Sequence, residues 1–179
     1  ALDYVTVVRP CEHTGGGSGG FKSGDLDAAV SGQDGKATID SLVYCMFAEG
    51  HWMGRTVDMV QAATGWADFD ERALFNVGAR VYALGRLFNL HTRGIKDPKT
   101  EWDCPEMFPA KRWFQEPLPT GPYKGKTSFD GDPAKLFDEA LPTYWEKRGW
   151  TRDKGIPTAD KLKELGIDDI AEDIAKNYR

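Results

Sequence analysis

Five apolar residues at helical spacing, Leu74, Val77, Val81, Leu84 and Phe88, constrain the fold more than anything else in the chain. Intervals of three and four place them on one stripe of an α-helix, and such a stripe must be covered by another element. Asp68-Phe69-Asp70-Glu71 has the spacing of a capping box, with Asp68 in the cap role, and Gly94 follows the far end. Other helical segments can supply the cover. Val57, Val60 and Ala63 mark a short helix closed by Gly65. A further helix starts near Ala37, carries Leu42, Cys45 and Met46 on one face, and stops at Gly50. Asp132 caps another, with Pro133 at its first position and Leu136, Phe137, Leu141, Tyr144 and Trp145 on its apolar face; Pro142 should kink or split it. Thr158 caps a short helix that stops at Gly166, and Ile167 to Tyr178 closes the chain with Ile170 and Ile174 inward. The expected class is all-α: an irregular multi-helix domain with long connections rich in Pro and Gly.

The chain has 179 residues, enough for one domain with a loose extension. Residues 1–36 read as a Gly-rich loop or linker and residues 37–179 as the helical domain. Gly15-Gly16-Gly17-Ser18-Gly19-Gly20 cannot hold a regular element without a large entropic cost, and it lacks the G-x-x-x-x-G-K-[S/T] pattern of a phosphate loop. Ile95 to Gly131 shows little periodicity. It reads as an extended stretch wrapping a neighbouring surface, because Trp102, Phe108, Trp113 and Phe114 need burial. Net charge is −5, with Lys and Arg scattered, which argues against nucleic acid as a partner. No apolar run is long enough for a membrane span, and no basic segment followed by an apolar one suggests a secretory leader. Three widely spaced cysteines argue against a disulfide framework and for a reducing, cytoplasmic setting.

The densest chemistry lies in Asp40-Ser41-Leu42-Val43-Tyr44-Cys45. On one continuous helix the side chains of Asp40 and Cys45 would stand about 140° apart and share no face. Both can touch one large object if Asp40 sits at a helix start and the chain bends there. The free amides of a helix N-terminus would then suit an anionic ligand. A carboxylate is an acceptor only, and matches adjacent ring N–H donors such as the amino-pyrimidine edge of a pterin. A thiolate is the usual ligand of an iron–sulfur cluster, and a [4Fe–4S] cluster normally takes four. With three cysteines this chain cannot supply all four. The same residues also suit a plain role, with Cys45 as a small buried hydrophobe and Asp40 as a helix cap.

Other candidates are weaker. Cys11-Glu12-His13 fits no standard zinc spacing. Cys104, in Trp102-Asp103-Cys104-Pro105, is either buried or a redox-accessible thiol. His51 and His91 have no visible acid–base partner, and no nucleophilic triad can be assembled. Arg86 and Asn89 suit anchoring of loops or domains, since their side chains satisfy several carbonyls.

Further segments follow the hexapeptide in a fixed order. They are Arg80-Val81-Tyr82-Ala83-Leu84-Gly85-Arg86-Leu87-Phe88-Asn89, Phe108-Pro109-Ala110-Lys111-Arg112-Trp113-Phe114, Glu116-Pro117-Leu118-Pro119, Arg148-Gly149-Trp150 and Gly155-Ile156-Pro157-Thr158. Together they resemble the C-terminal domain of the aldehyde:ferredoxin oxidoreductase family, from about Ala37 onward. The resemblance implies a tungsten bis-pterin cofactor and a [4Fe–4S] cluster. It aligns Asp40 and Cys45 with the ends of a D-x-x-G-L-(C/D) motif. Asp40 would bind a pterin, Tyr44 would touch the cofactor through its main chain, and Cys45 would be the fourth cluster ligand. The other three ligands lie in an earlier domain, so the chain would be inactive alone and its first partners would be the remaining domains of the same enzyme. Val43 stands where that motif usually has Gly, and Tyr44 where it usually has Leu; Val does not replace Gly where φ is positive. The implied reaction is oxidation of an aldehyde, with electrons passing through the cluster to ferredoxin or an electron-transfer subunit. The metal would be held by the pterins, without a protein ligand from this chain. A tungsten-containing aromatic acyl-CoA reductase subunit would use the same scaffold, and a non-catalytic helical interaction domain is the reading from another class. No catalytic residue is assigned.

Overall fold

The computed structural model of the chain describes residues 2–8, 25–45, 53–92 and 111–177. Helix α1 spans Leu2–Thr6, α2 Leu26–Ser41, α3 Thr56–Thr64, α4 Glu71–Thr92 and α5 Arg112–Gln115. A π-helical turn at Lys135–Ala140 runs into α6, Leu141–Lys147; α7, Ala159–Leu165, and α8, Asp168–Asn177, follow. Among the described residues there is no strand, only an isolated antiparallel bridge between Trp150 and Pro157. The all-α expectation holds.

Helix α4 is the axis of the fold. Its cap is Asp70, whose Oδ1 accepts from the Ala73 amide at 2.7 Å, so the cap role falls two residues after Asp68. Its buried residues are Gly78, Tyr82, Ala83, Leu87 and Leu90. The apolar stripe expected from spacing is therefore corrected: Val81 and Phe88 are exposed, at 39% and 45%. Helix α4 is packed from two sides, by α2 and by the α7–α8 pair. Helix α2 comes very close at Gly78, which has no side chain, and the small Ala83 is fully buried in the other core; a count of apolar residues does not register that. The two cores follow from this sandwich. One gathers Leu2 and Val5 of α1 with Leu136, Leu141, Tyr144 and Trp145. The other packs Ala83 and Leu87 against Leu162, Leu165, Ile167 and Ala171. Ile170, expected inward, is 45% exposed; Ile167 and Ala171, one turn apart, take the inward positions.

Helix α2 begins much earlier than its sequence suggests. Asp25 caps it, its Oδ1 accepting from the amides of Asp27 and Ala28 at 3.0 and 3.1 Å. Residues 26–36, read as loop, are its first turns. Gly32 and Gly35 weaken that stretch intrinsically, but burial of Ala29, Gln33, Asp34 and Ala37 holds it. The Gly15–Gly20 run lies outside the described residues, as does Gly50. Elsewhere the punctuation reads true. Gly65 and Gly166 end α3 and α7 at φ of 76° and 65°, and the Thr158 hydroxyl accepts from the Lys161 amide. Pro142 has no amide to return to the turn before it. That turn widens, and the Leu141 amide bonds the Leu136 carbonyl five residues back. Of the stretch expected to wrap a neighbour, residues 111–131 are described; Phe114 is buried in this chain's own core, with Trp113 and Phe129 packed against it.

Polar side chains on α4 tie distant segments to it. Arg80 Nε donates to the Leu165 carbonyl at 2.6 Å, and Asn89 Nδ2 to that of Val8 at 2.7 Å. Arg86 donates to the carbonyls of Gly155 and Lys154 at 3.1 and 3.2 Å, which fits the anchoring role read for it. Between α2 and α6 lies a buried ionic node. Arg148 donates to Asp34 Oδ1 at 2.8 Å, to Gln33 Oε1 at 2.7 Å and to the Tyr144 hydroxyl. Tyr144 in turn donates to Gln33 Oε1 at 2.5 Å, and Gln33 Nε2 to Thr6 Oγ1 at 2.9 Å. The guanidinium carbon stands 4.1 Å from the centre of the Tyr82 ring, a cation–π contact out of water. Burial pushes the Asp34 carboxyl above its ordinary range while Arg148 pulls it back. Burial also raises the Tyr144 hydroxyl. For Arg148 burial works against the charge, but Tyr144 and Asp34 outweigh it and the guanidinium stays ionised.

Candidate cofactor site

The Asp40–Cys45 segment is the exit from α2, and its geometry reverses one expectation. Asp40 lies in the last turn of the helix, not at a helix start. The carbonyl-rich, negative end of the helix therefore faces this region. The turn that follows is a Schellman cap. The Val43 amide bonds the Asp40 carbonyl at 3.0 Å, and the Tyr44 amide bonds that of Ile39 at 3.2 Å. Such a cap needs a left-handed residue just after the helix. That residue is Val43, at φ 60° and 90% exposed. The motif's usual Gly thus has a local reason, and Val meets it under strain.

The turn carries Cys45 off the helix, so it does not share a helix face with Leu42 as the spacing suggested; Met46 lies outside the described residues. Cys45 is a free, exposed thiol, which does not fit the buried-hydrophobe role. The Tyr44 amide is taken up by the cap, and its hydroxyl donates to Met59 Sδ of α3 at 3.7 Å. Its carbonyl is the main-chain group left to meet a ligand. Lys36, one turn earlier, pairs with Asp40 Oδ1 and orients the carboxylate. Cys11, His13, His51 and Cys104 lie outside the described residues; His91 is in the last turn of α4. Among the described residues no group of three or more His, Cys, Asp or Glu side chains could hold a metal ion. One soft thiolate donor and one acceptor-only carboxylate fit a shared cluster and a ring with N–H donors, provided the other ligands come from elsewhere.

One prediction follows from the cap alone. Val43→Gly should raise stability by about 1 kcal/mol, the left-handed penalty on a β-branched residue less the greater unfolded-state freedom of Gly. A denaturant midpoint that stays put or falls would show that Val43 is not strained.

Residues 6–167 match the family described as aldehyde ferredoxin oxidoreductase, domains 2 and 3. The chain belongs to the aldehyde ferredoxin oxidoreductase family. It is 39% identical over 139 residues to the tungsten-containing aldehyde ferredoxin oxidoreductase of Pyrococcus horikoshii, a match covering 77% of this chain and 20% of that protein. The corresponding Pyrococcus furiosus enzyme is 40% identical over 136 residues, again covering 75% of this chain and 20% of the relative. A WOR-like subunit of an aliphatic sulfonate oxidoreductase from Pyrococcus furiosus is 26% identical over 175 residues, covering 98% of this chain and 27% of that subunit. The chain therefore spans about a fifth of the length of these two oxidoreductases. No helix among the described residues is long and apolar enough to cross a membrane.

Sequence reasoning passed over the residues that hold this site in place. Gln33 and Asp34 sat in a stretch read as loop, and Thr38 carries no local signal that singles it out. The available signal was Gly78, a glycine set among apolar residues in the middle of a long helix, which marks a close approach of backbones.

Proposed function

We propose that this chain is the part of a tungsten oxidoreductase that closes over a bis-pterin cofactor and lends one ligand to a [4Fe–4S] cluster. The observation that carries the reading is the α2 exit turn, which puts the Cys45 thiol in the open just past the helix end bearing Asp40. Bound there, the tungsten bis-pterin would supply two-electron redox chemistry, and the cluster one-electron transfer. The Asp40 carboxylate and the Tyr44 carbonyl would accept from ring N–H groups, and the negative end of α2 favours such donors. Cys45 would be the fourth thiolate, with three from outside this chain. The full enzyme would oxidise an aldehyde and pass electrons to ferredoxin or an electron-transfer subunit, inside the cell. The isolated chain would be inactive.

A second reading keeps the scaffold and changes the substrate. The likeness to the aliphatic sulfonate oxidoreductase subunit, which runs through 98% of the chain, favours it. Turnover of an aliphatic sulfonate but no aldehyde by the full enzyme would decide for it.

Variants of the full enzyme test the cofactor assignment. Cys45→Ser exchanges a soft ligand for a hard one, and the cluster should become labile while tungsten is retained. Asp40→Asn turns a donor toward the ring N–H groups and leaves a contact unpaired at about 1–3 kcal/mol, so pterin retention should suffer first. Iron, tungsten and the EPR signal of the reduced cluster are the readouts. Wild-type values in both variants would sink the assignment.

A further inference from the structure

We infer that Thr38 is a positioning residue for the cofactor-facing turn: its hydroxyl joins α2 to one ladder position of α4 and so sets where Asp40 and Cys45 stand. The inference rests on the cofactor reading of Asp40 and Cys45 given above.

Thr38 is buried, with 2% of its surface exposed. Its Oγ1 donates to the Leu74 carbonyl at 2.8 Å and accepts from the Gly78 amide at 3.1 Å. Leu74 and Gly78 are four residues apart, the carbonyl and amide that bond each other in an undisturbed helix. One hydroxyl thus engages both ends of a single rung of α4. Its one proton is shared with the Asp34 carbonyl, 2.9 Å away on its own helix. Gly78 makes room for this, since a Cβ there would fall 1.9 Å from the Asp34 carbonyl oxygen. The two backbones meet here with nothing soft between them, so the joint fixes both angle and register.

The same residue begins the exit turn. The Thr38 carbonyl accepts from the Leu42 amide at 3.0 Å, and the carbonyls of the next two residues receive Tyr44 and Val43. Displacement of α2 at Thr38 is therefore passed through a hydrogen-bonded turn as far as Tyr44, the residue before Cys45. Groups that orient a metal ligand typically alter affinity by tenfold or more when removed.

Thr38→Val in the full enzyme keeps the shape but puts a methyl where the hydroxyl bridged carbonyl and amide. Expected are altered g-values of the reduced cluster and about tenfold faster loss of iron to a chelator. Thr38→Ser restores both by keeping the hydroxyl. Thr38→Ala, which removes it without bulk, reproduces the altered signal, so the test stands if the Val variant fails to fold. Leu165→Ala, in the core between α4 and the C-terminal helices, lowers the melting temperature but leaves the g-values of the folded enzyme unchanged. The inference is overturned if the Ala variant, or a folded Val variant, shows wild-type g-values and iron retention while Cys45→Ser loses the cluster. A Cys45→Ser enzyme with its cluster intact overturns the cofactor reading itself, and this inference with it.

Discussion

Arg148→Met is expected to lower the stability of the purified protein by about 3–5 kcal/mol, the usual consequence of leaving one member of a buried ion pair alone. Arg148 is 4% exposed and bonds Asp34, Gln33 and Tyr144 at once, so its removal strands the buried Asp34 carboxylate and takes one partner each from Gln33 and Tyr144, which still bond each other. Lys would not substitute, because a single ammonium cannot reproduce the fork. The loss has a signature in pH. Without Arg148, Asp34 keeps the burial that raises its pKa above the ordinary 3.8 and loses the charge that opposes the rise. A carboxyl with a raised folded pKa destabilises the fold while it is ionised. That penalty is full above the folded pKa and disappears as pH falls toward the unfolded value. The deficit of the variant relative to the unaltered protein should therefore shrink on acidification from neutral pH, as read from urea midpoints. A deficit that is constant or grows would mean that Asp34 is not stranded. Asp34→Leu combined with Arg148→Met should recover part of the loss, since both charges then leave the interior together.

Gly78→Ala is the second large effect. The added Cβ would lie 1.9 Å from the Asp34 carbonyl oxygen and 2.5 Å from its carbonyl carbon, and both are backbone atoms of a buried helix. Side-chain overpacking typically destabilises by 1–3 kcal/mol because rotamers can yield; here α2 must move as a unit, so a loss of about 3 kcal/mol or more is expected. Gly65→Ala provides the contrast. It has φ 76° but nothing within 4 Å of the new Cβ, so only the left-handed penalty of about 1 kcal/mol applies. Melting temperatures of the two variants would separate the effects. If Gly78→Ala were as mild as Gly65→Ala, the α2–α4 contact described above would be too close. On the proposed cofactor reading, the same variant in the full enzyme should loosen the cluster, since it displaces the joint that Thr38 makes.

Local chemistry in the chain could be read without coordinates. Gly65 and Gly166 stop helices because only Gly takes a left-handed φ freely, and Thr158 starts one because its hydroxyl satisfies a free amide. Pro142 disturbs its helix because it has no amide to give. Asp40 and Cys45 stood out as residue types, and the ordered downstream segments pointed to the family.

Which backbones touch was decided only by the tertiary structure. The face that α4 buries turns on Gly78 and Ala83, and not on the more oily Val81 and Phe88. Residues 26–36 form a helix because α4 and α6 cover them, against their own weak propensity. Asp40 proved to end a helix and not to begin one, since α2 starts at its Asp25 cap, fifteen residues upstream. The cap at Thr158, the stops at Gly65 and Gly166 and the chemical types at the site were legible because each depends on a few neighbouring residues, whereas the caps at Asp25 and Asp70 were not. The crossing of α2 on α4, and with it the placement of Cys45, depends on pairs such as Thr38 with Gly78 and Asp34 with Arg148. These are 40 and 114 residues apart, and no local pattern encodes a meeting between them.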